Sequence, residues 1–172
     1  MRRRWPVAVS EELRTERLVL RRARYEDAKA MHRIMSNPVA MRYWSSPPHQ
    51  ALAETEEWMA SMVEAPPELS DDFIVTLGGR LIGKFGAWRL PEFGFLIDPA
   101  QWGQGYASEA LVAFINHRRG AGGTELTADV DPRNEPSIRL LTRHGFEETG
   151  RATGTWQIGD ELCDSIYYRL NL

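Results

Sequence analysis

The segment WGQGYASEA, residues 102–110, carries two glycines and a serine directly before an apolar helical pattern. Gly103 and Gly105 can adopt positive φ and allow a ligand to approach the backbone closely. Ser108 adds a hydroxyl, and a helix that starts here directs its free N–H groups and positive dipole end towards an anion. The segment therefore predicts a phosphate-binding loop, although a tight turn before a capped helix would use the same residues.

Two familiar nucleotide-binding loops fit this segment less well. No Gly-Lys-Ser/Thr follows the glycines, so the lysine of a Walker loop is missing. The glycines and Ser108 do imitate a dinucleotide fingerprint, with Asp129 or Asp131 near the spacing of a ribose-binding acid. However, residues 99–102 separate the loop from the preceding strand, and too little chain remains for the further parallel strands. A dinucleotide enzyme is therefore a distant alternative.

Hydrophobic periodicity predicts the elements that position this loop. Before the loop, the patterns predict a strand at 18–24, helices at 25–35 and 50–63, a hairpin at 73–88 and another strand at 92–98. After the loop, they predict a core-facing helix at 107–119 that GAGG ends and a strand at 125–131. A short helix at 136–144, closed by Gly145, and a last hairpin at 147–170 follow. The fold class is therefore α/β, with a mixed, mostly antiparallel central sheet flanked by about four helices.

Bulk composition limits the kind of protein further. With 172 residues, 42% of them apolar and 26% charged, the chain fits one domain over residues 13–172 after a mobile arm at 1–12. No apolar run suits a membrane span or a signal peptide, which predicts a cytoplasmic protein with no membrane partner. A net charge of -3 without a sustained basic face argues against nucleic acid. The single cysteine, Cys163, excludes an internal disulfide framework.

Four segments together resemble one family. LRTERLVLRRARYEDA, NPVAMRYWSSPP, EFGFLIDPAQWGQGYASEAL and NEPSIRLLTRHGFEETG resemble, in this order and spacing, the GNAT superfamily of acyl-CoA-dependent N-acyltransferases. Within it they are similar to the branch that contains ribosomal-protein N-terminal acetyltransferases. The superfamily often has Gln or Arg where this chain has Trp102, but backbone donors carry the phosphate contact, so we expect no loss of binding.

The resemblance implies where the acyl donor, acetyl-CoA, would bind. The loop would hold the coenzyme A pyrophosphate, through Gly103, Gln104, Gly105, Tyr106, Ala107 and Ser108. The pantetheine arm would pair with the backbone of Phe95, Leu96 and Ile97 on the preceding strand, and Asn134 would contact the same arm. A GNAT-like fold is implied with this site.

Acetyl transfer to an amine needs a base, a stabilised oxyanion and a proton for the departing thiolate. Backbone N–H groups around Phe95–Ile97 could polarise the thioester carbonyl, which leaves no side-chain signature. Glu92 is the first candidate base, because several superfamily members carry a catalytic glutamate at this place, although a solvated carboxylate at a strand start is the alternative.

The proton donor is less obvious, because many superfamily members have a tyrosine where this chain has Leu141. Ser137 lies one turn earlier, and the resemblance places a serine there in this branch; its hydroxyl could protonate or hydrogen-bond the sulfur. A serine that caps the helix is the alternative. Tyr106, Tyr167 and Tyr168 are lesser candidates. The four histidines show no metal spacing, so we predict no metal.

The acceptor of such a transfer would be a primary amine. A protein N-terminal amine is the leading expectation from the branch, followed by a small amine such as an antibiotic or an amino acid. Trp44, Trp156 and Asp164 could border its cleft. A non-catalytic acyl-CoA-binding sensor remains open, and the chain is expected to be a monomer or a homodimer.

Overall fold

The computed structural model describes residues 11–172. Its strands are β1 (Glu12–Arg14), β2 (Leu18–Arg21), β3 (Asp71–Leu77), β4 (Arg80–Arg89), β5 (Glu92–Ile97), β6 (Glu125–Val130), β7 (Glu147–Ile158) and β8 (Glu161–Asn171). Its α-helices are α1 (Ala28–Met35), α2 (Leu52–Val63), α3 (Tyr106–Gly120) and α4 (Glu135–Arg143). Residues 1–10 of the predicted mobile arm lie outside the described residues, and Glu12 begins β1.

These strands form one sheet in the order β1-β2-β3-β4-β5-β6-β8-β7. Neighbouring strands run antiparallel except β5 and β6, which run parallel. The mixed, mostly antiparallel sheet with four helices in the described part of the chain confirms the predicted fold class. No helix among residues 11–172 is long and apolar enough to cross a membrane.

The predicted elements are present with small differences at the N-terminal end. β1 was not predicted, because three residues are too few to show an alternating pattern. β2 ends at Arg21 rather than at Arg24, and a single 3-10 turn over Tyr25–Asp27 leads into α1. Asp27 fixes this corner, since its carboxylate accepts the backbone N–H of Arg24 at 2.9 Å and pairs with Arg21 at 2.6 Å.

Each face of the sheet is covered by its own apolar layer. On one face α1 and α2 bury methionine-rich side chains against β3, β4 and β5, including Met31, Met35, Met59, Ile74 and Leu96. On the other face α3 and α4 contribute to a larger layer that contains Leu111, Phe114, Leu141, Phe73, Phe85 and Phe93. The ring centroids of Phe85 and Phe93 lie 5.7 Å apart. The centre of the sheet is therefore held from both sides.

The neighbours Asp71 and Asp72 on β3 extend to opposite faces, as the alternation of a strand requires. Asp72 pairs with Lys84 at 2.8 Å, and both side chains are buried. Asp71 instead meets the α3 face, where Arg22, His117 and Arg118 contact it at 3.0, 2.8 and 2.6 Å. Burial alone would raise the pKa of Asp71, but the hydrogen bonds from His117 and Arg118 and the nearby positive charges outweigh burial and lower it to about 2.

We expect Asp71→Asn to reduce the free energy of unfolding by about 2 kcal/mol at pH 7, the linkage value of this pKa difference. The carboxylate's contribution is present above its ordinary pKa of 3.8 and is lost as the pH falls towards about 2. Urea unfolding of wild type and variant across this pH range measures it. A difference between the two proteins that stays constant down to the lowest pH of folded wild type would contradict this account.

Candidate active site

Strand β5 is paired along one edge and open along the other. Its register with β6 is limited, in the described part of the chain, to Glu92 opposite Thr127. Asp98 N donates to the carbonyl of Ile82 on β4 at 2.8 Å. Because residues of an antiparallel ladder alternate between edges, the N–H and carbonyl groups of Phe95 and Ile97 then face away from β4, into the gap. The open edge of β5 therefore offers backbone donors and acceptors beside β6.

Trp102 forms a hydrogen bond with one of these groups: its indole Nε1 donates to the carbonyl of Ile97 at 2.8 Å. This bond ties the start of the glycine loop to the end of β5. The tryptophan that departs from the common superfamily pattern thus positions the loop against the open strand edge.

The glycine loop has the backbone conformation that its sequence predicts. Gly103 and Gly105 have φ of +74° and +81°, in the left-handed region that favours glycine, and α3 starts at the next residue, Tyr106. The N–H groups of the first turn of α3 lie at this end of the helix, together with the positive end of its dipole. The local arrangement suits an anion.

Arg17, in the turn between β1 and β2, holds this loop from outside. Its Nη1 donates to the carbonyl of Gln104 at 2.9 Å, its guanidinium lies 4.5 Å from the ring centre of Tyr106, and it pairs with Glu109 at 2.7 Å. Glu109 also accepts hydrogen bonds from the backbone N–H of Arg17 and from the hydroxyl of Thr15. These contacts lower the pKa of Glu109 despite the opposing effect of burial, and its charge is matched by Arg17.

A cavity of about 550 Å³ lies between the loop, β5 and α4. We call it the loop cavity. Of the residues predicted to bind coenzyme, its wall includes Phe95, Leu96, Ile97, Gly103, Gly105, Tyr106, Ala107, Ser108 and Asn134. Gln104 does not line it, and its carbonyl accepts a hydrogen bond from Arg17. The structure thus brings together all but one of these residues.

A second cavity, of about 560 Å³, lies beside the first, over the start of β5. We call it the aromatic cavity, after the indoles in its wall: Trp44, Trp58, Trp88 and Trp156. Glu92 and Asp164 also line it, so the three residues expected at an acceptor border, Trp44, Trp156 and Asp164, all lie here. The two cavities share wall residues Tyr43, Trp44, Phe95, Asn134 and Ser137, and therefore meet at the open edge of β5.

Glu92 lies in the wall of the aromatic cavity, at the point where β5 leaves β6. Glu92 is an exposed residue at the start of β5, as the solvated-carboxylate alternative expects. Partial desolvation of its carboxylate, with the negative charge of Asp129, still raises its pKa. Asp129 itself accepts a hydrogen bond from the indole of Trp156 at 2.8 Å. A carboxylate with a raised pKa at a cavity wall is a suitable proton acceptor.

Ser137 lies in the first turn of α4 at the junction of the cavities. It does not cap the helix, since Asn134 is the N-cap and its Oδ1 accepts the backbone N–H of Ser137 at 3.3 Å. Asn134, and not Ser137, therefore caps α4. Leu141, at the position of the absent tyrosine, is fully buried. Tyr106 lines the loop cavity, whereas Tyr167 and Tyr168 line neither cavity.

Sequence reasoning missed two residues at this site, Arg17 and His144. His144 Nε2 lies 2.7 Å from the hydroxyl of Ser108, so the end of α4 contacts the start of α3. Burial and the neighbouring Arg143 lower the pKa of His144. Among residues 11–172 no three histidine, cysteine or acidic side chains are placed to hold a metal ion.

The site thus consists of an opened strand edge, a glycine loop that suits an anion at a helix start, and two joined cavities. A sequence profile of the acetyltransferase (GNAT) domain matches residues 17–147. The chain belongs to the GNAT acetyltransferase family, whose members use acetyl-CoA.

Relatives in this family differ in their acceptors. An N-acetyltransferase named p20, from Bacillus licheniformis, is 30% identical to this chain, and the match covers 93% of this chain and 96% of that protein. Spermidine N(1)-acetyltransferase from Escherichia coli K12 is 27% identical, over 86% and 82% of the two chains. The apo crystal structure of RimL, a ribosomal alpha-N-protein acetyltransferase, superposes with a TM-score of 0.85, covers 94% of each chain and is 17% identical, which shows a shared fold.

We expect Arg17→Ala to weaken acetyl-CoA binding roughly tenfold, because the loop loses the group that holds it, a cost of about 1.4 kcal/mol. Isothermal titration of the purified protein measures the dissociation constant. Arg14→Ala is the matched control, since Arg14 is an exposed arginine in the same region that pairs with Glu12 and not with the loop. Equal dissociation constants for wild type and Arg17→Ala would contradict the assigned role.

Proposed function

We propose that this protein transfers the acetyl group of acetyl-CoA, bound in the loop cavity, to a primary amine bound in the aromatic cavity. The observation that carries the proposal is that the two cavities meet at the open edge of β5. A donor and an acceptor bound on either side would have their reacting atoms at this junction, which suits direct attack within a ternary complex. No covalent enzyme intermediate is required.

The coenzyme would follow the wall of the loop cavity. Its pyrophosphate would bind the backbone N–H groups of Gly103–Ser108 at the start of α3. Its pantetheine arm would pair with the groups of Phe95 and Ile97 that face the gap, apart from the Ile97 carbonyl, which accepts from Trp102. The N-cap role of Asn134 leaves its side-chain amide group as a donor for the same arm. This proposal is supported by the glycine φ angles and by the orientation of the strand edge.

The chemistry would use groups around the junction. The amine nitrogen attacks the thioester carbonyl carbon, the Phe95 N–H stabilises the resulting oxyanion, and the carbon–sulfur bond then breaks. Glu92, directly or through water, accepts the proton that the amine loses. The hydroxyl of Ser137 would protonate or hydrogen-bond the departing thiolate.

For the acceptor we propose first a protein N-terminal amine, as the sequence resemblance implies. A small amine is the second candidate, supported by the four indoles that wall a cavity of about 560 Å³ and by the relative named as a spermidine acetyltransferase. A sensor that binds acyl-CoA without turnover is the remaining alternative. A cytoplasmic location and a monomeric or homodimeric state stay predictions.

Calorimetric titration with acetyl-CoA, with NADH and ATP as controls, tests the donor. Thiol release in the presence of pooled N-terminal peptides or of pooled small amines then tests the acceptor. We expect selective binding of acetyl-CoA and release with one of the pools. Binding without release from either pool would favour the sensor, and an absence of acetyl-CoA binding would overturn the proposal.

Glu92→Gln tests the proposed base through its pH dependence. With an α-amine acceptor, whose pKa is about 7.7 to 8.0, we expect kcat/KM to fall roughly 100-fold below that pH and to recover above it, where the amine is already neutral. In the wild type, we expect the raised pKa of Glu92 to place the acid limb of the pH–rate profile at higher pH than an unperturbed glutamate would give.

Glu135→Gln is the control for this substitution, because Glu135 is an exposed carboxylate on α4 that pairs with Arg139. The pH–rate profile of each variant measures the effect. Superimposable profiles for Glu92→Gln and wild type would remove Glu92 from the mechanism.

A further inference from the structure

A buried ion pair lies beneath the catalytic strand edge. The ammonium of Lys84 on β4 and the carboxylate of Asp72 on β3 are 2.8 Å apart, and their side chains are 3% and 4% exposed. Both residues reach the wall of the aromatic cavity, and the ring of Trp44 lies 5.7 Å from the Lys84 ammonium. Burial of two charges costs free energy, and a well-packed apolar pair at the same place can be equally stable. Stability therefore gives no reason for an ion pair here, and a role in function is the alternative.

Lys84 also contacts the backbone of β5. Its Nζ donates to the carbonyl of Gly94 at 3.4 Å, a long, charge-assisted hydrogen bond. In the ladder, Gly94 lies opposite Gly86 and Phe95 opposite Phe85. The carbonyl of Gly94 therefore faces β4, while the N–H of Phe95, in the same peptide group, faces the gap.

The two ends of one peptide group are electronically coupled. A positive charge at a carbonyl oxygen polarises the amide and strengthens its N–H as a donor, and chains of hydrogen bonds reinforce one another in a buried environment. The Gly94–Phe95 peptide thus has an ammonium at its carbonyl end, and its N–H is directed towards the proposed site of the thioester.

We infer that Lys84, held by Asp72, is a positioning residue for acetyl transfer: it fixes and polarises the Gly94–Phe95 peptide so that the Phe95 N–H stabilises the oxyanion. The inference rests on the proposed function. It extends that function to a residue that touches neither the coenzyme nor the reacting atoms.

Substitutions that neutralise both partners test this role without leaving an unpaired buried charge. Asp72→Asn combined with Lys84→Met removes the donor to Gly94, whereas Asp72→Asn combined with Lys84→Gln retains a side chain that can donate. Asp71→Asn is the control, because it removes a buried charge from the opposite face of the same strand. Thermal unfolding establishes that each variant is folded, and Asp72→Leu combined with Lys84→Met, which likewise leaves neither a buried charge nor a donor, replaces a methionine variant that is not.

Two measurements separate this role from a structural one. One is kcat together with KM for acetyl-CoA. The other is the infrared band of acetyl-CoA labelled with ¹³C at its acetyl carbonyl, bound without acceptor. For the methionine variant we expect kcat to fall roughly tenfold. This is a part of the roughly 10²–10³-fold loss of kcat that follows removal of a whole oxyanion donor. KM should stay within about twofold of wild type, because the loop contacts are intact, and the carbonyl band should lie at higher frequency than in wild type.

The glutamine variant should recover part of both effects, and Asp71→Asn should leave the carbonyl band at its wild-type position. Wild type that fails to bind acetyl-CoA or to release thiol overturns the proposed function and this inference together. If wild type binds and turns over, an unmoved carbonyl band in the methionine variant, or an equal loss of kcat in Asp71→Asn, overturns the role of Lys84 alone.

Discussion

The separation of β5 from β6 is the constraint on which the rest of this structure depends. Parallel strands that stayed in register would satisfy each other's N–H and carbonyl groups and leave no room between them. Here the pairing is limited to Glu92 and Thr127 in the described residues. Apart from the Ile97 carbonyl, which accepts from Trp102, the edge beyond Glu92 is therefore free to bind a ligand, and both cavities open onto it.

An opened edge must be held in place by its remaining contacts. β4 pairs with the other edge of β5, and stacked phenylalanines fill the space beneath, with the rings of Phe85 and Phe95 5.2 Å apart. From the side, Trp102 fixes the carbonyl of Ile97. The strand is thus rigid where it is unpaired, which is the condition for backbone groups to act as preorganised donors.

Local chemistry explains what could be predicted from the sequence. Alternation and helical spacing predicted nearly every element, and glycine conformation with a following helix predicted the loop at Gly103 and Gly105. The resemblance supplied Glu92 and Ser137, which lie at the aromatic cavity and at the junction of the cavities; their catalytic roles stay predictions. Arg17, His144 and Lys84 gave no signal, because each acts through a partner distant in the sequence or through a backbone carbonyl. The backbone N–H of Arg17, for example, donates to a carboxylate 92 residues further along the chain.

That long-range contact also links ligand supply to folding. Arg17 ties the turn between β1 and β2 to the loop and to α3, so these contacts of the loop exist only in the folded chain. Any ligand that binds the finished loop shifts the folding equilibrium by mass action, by about 2.7 kcal/mol at a concentration 100 times its dissociation constant. A marginally stable domain would gain a large part of its stability in this way. The amount of folded protein would then rise and fall with the concentration of such a ligand.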